Sequence, residues 1–185
     1  MRALLGVLML VGWMNAAAAA DMQVEVSFPA DFSAAPDGKG DVALKVEDAR
    51  DDDQLGKSAD GEPLQPTQDL AKSLYDLIAA DLKQAGFNVV SYAPGSPQGL
   101  IIRIDSLKYS ENRNMFKTRA EVKCALVVDM ASVDTTYTFR SSVSDEYAWK
   151  PTADKRGALI GKALAGALQA AFDEPDIDEA LGVSQ

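Results

Sequence analysis

Between Phe116 and Met130 the chain alternates. Phe116, Ala120, Val122, Cys124, Leu126, Val128 and Met130 share one parity, and Lys117, Arg119, Glu121, Lys123 and Asp129 hold the other. A period of two sends successive side chains to opposite faces of a strand, so the segment predicts a long β-strand with one buried face. Such one-sided strands belong to antiparallel sheets; strands buried on both faces read as continuous apolar runs. Ala125 and Val127 depart from the pattern, being apolar on the outward face. They predict cover by the N-terminal extension, by a partner or by a second copy.

The flanking segments read in the same way. Leu100, Ile102 and Ile104 share a phase that slips by one residue to Leu107 and Tyr109, the signature of a β-bulge. Tyr137, Phe139, Ser141 and Val143 continue an inward face on a further strand. Val42, Leu44 and Val46 alternate with Ala43, Lys45 and Glu47 as an opening strand, and "FNVVSYA" reads as another.

Two segments carry helical spacing instead. Leu70, Leu74, Leu77, Ile78, Leu82 and Ala85 form one apolar face, with Thr67 as the expected N-cap and Gly86 closing the C-terminus. Ile160, Leu164, Leu168 and Phe172 form the stripe of a second helix, from near Ala153 to Phe172. Its Gly157, Gly161 and Gly166 cost helix propensity, which predicts close packing of a neighbouring backbone, either the sheet or the first helix. Pro175 ends it, and "DIDEAL" adds one more turn. The order strand, helix, four strands, helix predicts an α+β fold. The expected architecture is a two-layer sandwich, a mostly antiparallel sheet with two long helices packed on one face.

The chain opens with Arg2, an apolar stretch from Leu4 to Trp13 and a run of alanines. A membrane span needs roughly 20 apolar residues, so residues 1–20 read as a cleavable secretory signal peptide with the cut between Ala20 and Asp21. Residues 21–40 read as an irregular extension in which "QVEVSF" has the alternation of an edge strand, and residues 41–185 as a single α+β domain. The 185 residues carry a formal charge of −10, and loss of Arg2 with the leader makes it −11. That surplus disfavours nucleic acid and anionic membrane as general partners.

Histidine is absent and Cys124 is the lone cysteine. A Ser-His-Asp triad, a Cys-His pair, a His-ligated zinc and an internal disulfide are therefore excluded. Cys124 lies in the inward phase and reads as a core residue. No catalytic residue and no cofactor site is expected.

The acidic stretch "VEDARDDDQLG" leaves two chemical alternatives. Asp51, Asp53 and Glu62 stand at positions one, three and twelve of a calcium loop with Gly56 at six, but Leu55 occupies the fifth, where an oxygen donor is needed. A carboxylate-dependent hydrolase would require a neighbouring pair, one member kept protonated by burial. The simpler reading is a charged turn in which Asp48 accepts backbone N–H groups, Arg50 offsets repulsion and Gly56 permits the turn. Arg103, Lys117, Arg119 and Lys123, with Ala125 and Val127, outline the expected partner surface.

"VALKVEDARDDDQLG", "LKQAGFNV", "GLIIRIDSLKY", "TRAEVKCALVV", "YTFRSSVSDEYAW" and "FDEPDIDEAL" together resemble the YajG-like family of bacterial envelope proteins over residues 41–181. The resemblance implies an envelope protein of a lipoprotein family without established activity, with outer-membrane association. The leader of this chain lacks the lipid-bearing cysteine, which argues against membrane attachment and for a soluble periplasmic form. The expectation is a non-enzymatic accessory or binding protein that meets an envelope protein or a second copy of itself.

Overall fold

A computed structural model describes residues 21–96, 98–131 and 135–182. The leader, with Ala20 on one side of the expected cut, lies outside the described residues. The elements are β1 (Met22–Val24), β2 (Gly40–Asp48), β3 (Gly56–Lys57), β4 (Pro63–Pro66), α1 (Leu70–Gln84), β5 (Phe87–Ser91), β6 (Gly99–Arg113), β7 (Thr118–Met130), β8 (Thr136–Tyr147), α2 (Ala153–Phe172) and α3 (Pro175–Ala180).

The alternating segments become the long meander β6–β7–β8, antiparallel throughout. The phase slip is a bulge: register shifts between Ile104 and Ser106, leaving Asp105 as the extra residue. Phe116 does not join the inward face. The strand begins at Thr118, and Phe116 sits on the β6–β7 turn, 80% exposed. Alternation alone cannot mark where a strand yields to a turn.

The fold is α+β, but its sheet is mixed and curled into a half-barrel, not a simple antiparallel layer. β2 lies between β5 and β6 and runs parallel to both, because α1 carries the chain from β2 back to the start of β5. β5 pairs with Gly40–Leu44 on one edge of β2, and β6 with Ala43–Asp48 on the other. That stagger lets a short loop join two strands of the same direction without a second helix. Beyond Asp48 the same edge of β6 is taken up by β3, which hairpins to β4 and so to β1. "KSADGEPLQP", a loop by composition, supplies β4 and the second residue of β3.

α1 packs on β2 and β5, while α2 packs on β7, β8 and, at the opposite end of the sheet, β1. The sheet therefore curls around α2. Leu74, Ile78 and Leu82 of α1 and Ile160, Leu164 and Leu168 of α2 share one core with Leu44, Leu100, Ile102, Ile104, Leu126 and Val128. Each such side chain contributes roughly 1.5–3 kcal/mol by leaving water.

The N-cap of α1 is Asp69, whose carboxylate accepts from Lys72 N–H at 2.9 Å, not Thr67. Thr67 N–H instead donates to Val24 O, and the Gln68 amide both donates to Val26 O (2.6 Å) and accepts from Val26 N–H (3.0 Å). Residues 67 and 68 are thus used to hold the N-terminal segment. That segment also answers the glycines of α2. A Cβ on Gly157 would lie 1.8 Å from Glu25 O, and one on Gly161 would lie 2.0 Å from Ser27 O. The close neighbour is the chain just beyond β1, rather than α1. Val24 and Val26 are buried there, and Ala34 and Ala35 N–H donate to the buried Asp81 carboxylate of α1 at 2.9 and 2.8 Å.

Candidate functional site

The bulge and the antiparallel registers decide which side chains meet on the outward face of β6–β8. Arg103 stands opposite Val127, Ser106 opposite Ala125 and Lys108 opposite Lys123. On the next strand Thr138 faces Val127, Arg140 faces Ala125 and Ser142 faces Lys123. Both long helices occupy the concave side, and the N-terminal segment lies against them, so neither covers this face.

Its centre is a shallow recess floored by Ala125 and walled by Lys108, Lys123, Arg140, Ser106 and Ser142. Ala125 is 5% exposed because these longer neighbours overhang it. Val127 is half-buried between Arg103 and Thr138. The outward apolar pair thus lies between basic side chains.

The cations differ in how they are satisfied. Arg103 pairs with Asp129 at 2.5 Å and Lys117 with Glu146 at 2.6 Å, while Arg119 donates to Ser144 Oγ at 3.4 Å. Lys123 has a longer contact with Glu121, 3.4 Å. Among the described residues, Lys108 and Arg140 make no ion pair. Lys108 stands directly opposite Lys123, and like charges so placed on neighbouring strands repel. Of the six residues outlined from sequence, Lys123 and Ala125 line this recess, the facing pair Arg103 and Val127 lies beside it, and Lys117 and Arg119 lie towards the hairpin end. Lys108 and Arg140 were missed. Their signal is cross-strand register, which depends on the bulge at Asp105.

The acidic stretch is built differently. Arg50 Nη2 lies 2.6 Å from Asp48 Oδ2, Arg50 N–H donates to Asp48 Oδ1, and Asp52 Oδ1 accepts from Gln54 N–H. Leu55 is fully buried and pins the loop, and Gly56 has φ +139° with Tyr109 O where a Cβ would stand. Asp51 and Asp53 border different recesses, and Glu62 is held by Lys150 at 2.9 Å. Among the described residues no three carboxylate or cysteine side chains gather as metal ligands.

A larger recess, about 650 Å³, opens beside this loop along β6 and reaches Glu111. Burial alone would raise the Glu111 carboxyl. Hydrogen bonds from Arg156, Tyr109 and Ala59 outweigh it and hold the group below its ordinary range. It stays ionised at neutral pH and cannot serve there as the protonated acid a hydrolytic pair needs.

Residues 33–182 match the Lipoprotein_16 family model, described as uncharacterized lipoprotein. The chain belongs to this family. No curated protein matches it. Among solved structures it is similar to a protein described as a neuraminyllactose-binding hemagglutinin homolog from Helicobacter pylori, at 10% identity over 85% of this chain and 98% of that one (TM-score 0.45). It is also similar to rare lipoprotein B from Shewanella oneidensis, at 17% identity over 73% and 87% (TM-score 0.33). A third is lipoprotein GNA1162 from Neisseria meningitidis, at 12% identity over 74% and 99% (TM-score 0.32). At these scores the likenesses carry no argument about ligands. No helix among the described residues is long and apolar enough to cross a membrane.

Proposed function

We propose that this lipoprotein-family chain is a non-enzymatic binding or accessory protein of the bacterial envelope, working in the periplasm through the open face of β6–β8. The observation that carries this reading is the apposition of Lys108 and Lys123 beside Arg140, on a face free of the helices. Three cations around an apolar floor suit a partner that presents carboxylates or phosphates next to an apolar group. Family membership and the leader sequence support the envelope setting.

The test is affinity capture from envelope extracts with the parent chain and with a Lys123→Glu/Val127→Glu variant. The expected result is a partner retained by the parent at low salt, released as salt rises and lost from the variant. Equal capture by both chains would count against the face.

A further inference from the structure

The sheet has short edges and one long one. β1 and β5 end it with three and five residues, while β8 pairs only with β7 and runs for twelve, with no register shift and no proline. The register shows which of its backbone groups are free. Ala131 N–H donates to Gly99 O at 2.8 Å, so the odd-numbered positions of β7 face β6 and the even-numbered ones face β8. Val122 with Val143 and Cys124 with Ser141 are therefore bonded pairs. Thr136, Thr138, Arg140, Ser142, Ser144 and Glu146 turn their N–H and C=O away from β7. Glu146 N–H accordingly donates to the neighbouring Asp145 carboxylate, at 2.8 Å. Among the described residues, no backbone group outside the ladder with β7 bonds to β8. An uncovered edge of this length is a template for another strand.

Two further observations say what meets it. The first is charge. Arg140 makes no ion pair among the described residues, and no carboxylate lines the recess it shares with Lys108 and Lys123. Further along the same face of β8, Glu146 gives Oε2 to Lys117 and leaves Oε1 without a partner among the described residues. The strand thus carries an unmatched cation and a half-used carboxylate in the same parity. The second is space. Ala158, Lys162, Gly166 and Ala170 form an exposed stripe of α2 at helical spacing. Its near end shares a recess with Asp145, Glu146 and Tyr147, and a Cβ on Gly166 would lie 3.5 Å from Ser141 Cβ. Above the edge, the helix therefore presents one long side chain among small ones, which leaves room for a second body.

We infer that two copies of this chain join along β8, antiparallel about a two-fold axis through Val143, so that their sheets run on as one. Free backbone groups then meet free backbone groups, and side chains opposite one another share a face. Arg140 stands opposite Glu146 of the second copy, Ser142 opposite its Ser144 and Phe139 opposite its Tyr147, each twice by symmetry. Phe139 and Tyr147 are only partly buried within one copy, so the contact covers apolar surface as well. No other axis sets Arg140 against Glu146. One through Ser142 faces Glu146 with Thr138, and one through Ser144 faces it with Ser142. The contact follows the strand edge and leaves Lys108 and Lys123 on the open face, so it goes beyond the reading above and does not depend on it.

The test is sedimentation equilibrium of the chain recovered from an expressing bacterium, with a thermal melt of each variant. The parent is expected to form a dimer. Arg140→Glu should weaken it roughly tenfold, because symmetry reverses the pair twice, and Arg140→Glu/Glu146→Arg should restore it. Ser142→Pro removes an edge N–H that β7 does not use, so the dimer should be lost while the monomer still melts cooperatively. Val143→Cys should cross-link to itself under mild oxidation, since residues facing across the axis have Cα atoms about 4.5 Å apart, whereas Thr138→Cys should not. The inference is overturned if the parent stays monomeric up to about 1 mM. It is also overturned if the dimer survives Arg140→Glu or Ser142→Pro unchanged, or if Thr138→Cys cross-links as fast as Val143→Cys. A monomeric parent that holds another protein along this edge, and releases it on Ser142→Pro, overturns it as well.

Discussion

Arg156 Nε lies 2.6 Å from Glu111 Oε1, and the two side chains are 2% and 0% exposed. The contact ties the first turn of α2 to the far half of β6. The Tyr109 hydroxyl donates to the same oxygen at 2.6 Å and Ala59 N–H to the other at 3.0 Å. Because Arg156 also touches Met22, one carboxylate organises the junction of α2, β6, the β3–β4 turn and the N-terminal strand.

Removing one partner leaves the other charge buried and uncompensated, so Arg156→Ala or Glu111→Ala should each lose about 3–5 kcal/mol in denaturant unfolding, whereas Glu111→Leu/Arg156→Met should recover much of it. The Glu111 carboxyl is lowered on folding, so its contribution is complete above its unfolded pKa of about 4.3 and is lost as pH falls through the folded value. Glu111→Gln should therefore flatten the acid limb of the stability profile. Identical pH dependence in variant and parent between about pH 5 and 2 would dismiss the pair as its source.

The glycines of α2 should respond to alanine with opposite signs. At Gly157 and Gly161 the new methyl would collide with the Glu25 and Ser27 carbonyls. Each substitution should destabilise by about 1–3 kcal/mol despite better helix propensity, and should expose the N-terminal segment to protease. At Gly166 the nearest atom is Ser141 Cβ at 3.5 Å, an ordinary contact. Gly166→Ala should stabilise by roughly 0.5–1 kcal/mol. Thermal melts of the three variants decide the matter.

Burial pushes the Cys124 thiol up to about 12, with Arg50 opposing it only in part. The thiolate is therefore scarce at neutral pH, and labelling by a thiol reagent should proceed only through unfolding. Its rate should rise with denaturant in step with loss of structure. Rapid labelling of the native chain at pH 7 would contradict this placement.

Calcium should leave the melting midpoint of the chain unchanged at millimolar concentration. Asp51 and Asp53 border different recesses, and Lys150 already occupies Glu62. A native-state site would raise the midpoint by mass action, and a clear rise would restore the acidic loop as a cation site.

The elements that proved legible in sequence are those with one buried face. α2 spans Ala153–Phe172 as its stripe predicts, and the slip from Ile104 to Leu107 is a bulge. Phe116 was misplaced because a turn residue can share the parity of the strand it precedes. Thr67 looked like a cap because Ser, Thr and Asp all cap well, and only the position of Val24 shows that residues 67 and 68 serve the N-terminal segment instead. At the candidate site, Lys123, Ala125 and Val127 were legible on one strand. Lys108 and Arg140 required the registers on either side.

Sequence alone determined which faces of β6, β7, β8, α1 and α2 turn inward, because that choice follows from apolar periodicity within each element. It also excluded imidazole chemistry and an internal disulfide by composition. Tertiary structure decided that β2 runs parallel to β5 and β6, that the sheet curls around α2, and that Lys108 meets Lys123. Strand direction and register rest on backbone hydrogen bonds, which every residue but proline offers alike, and on long-range closure that no local pattern encodes.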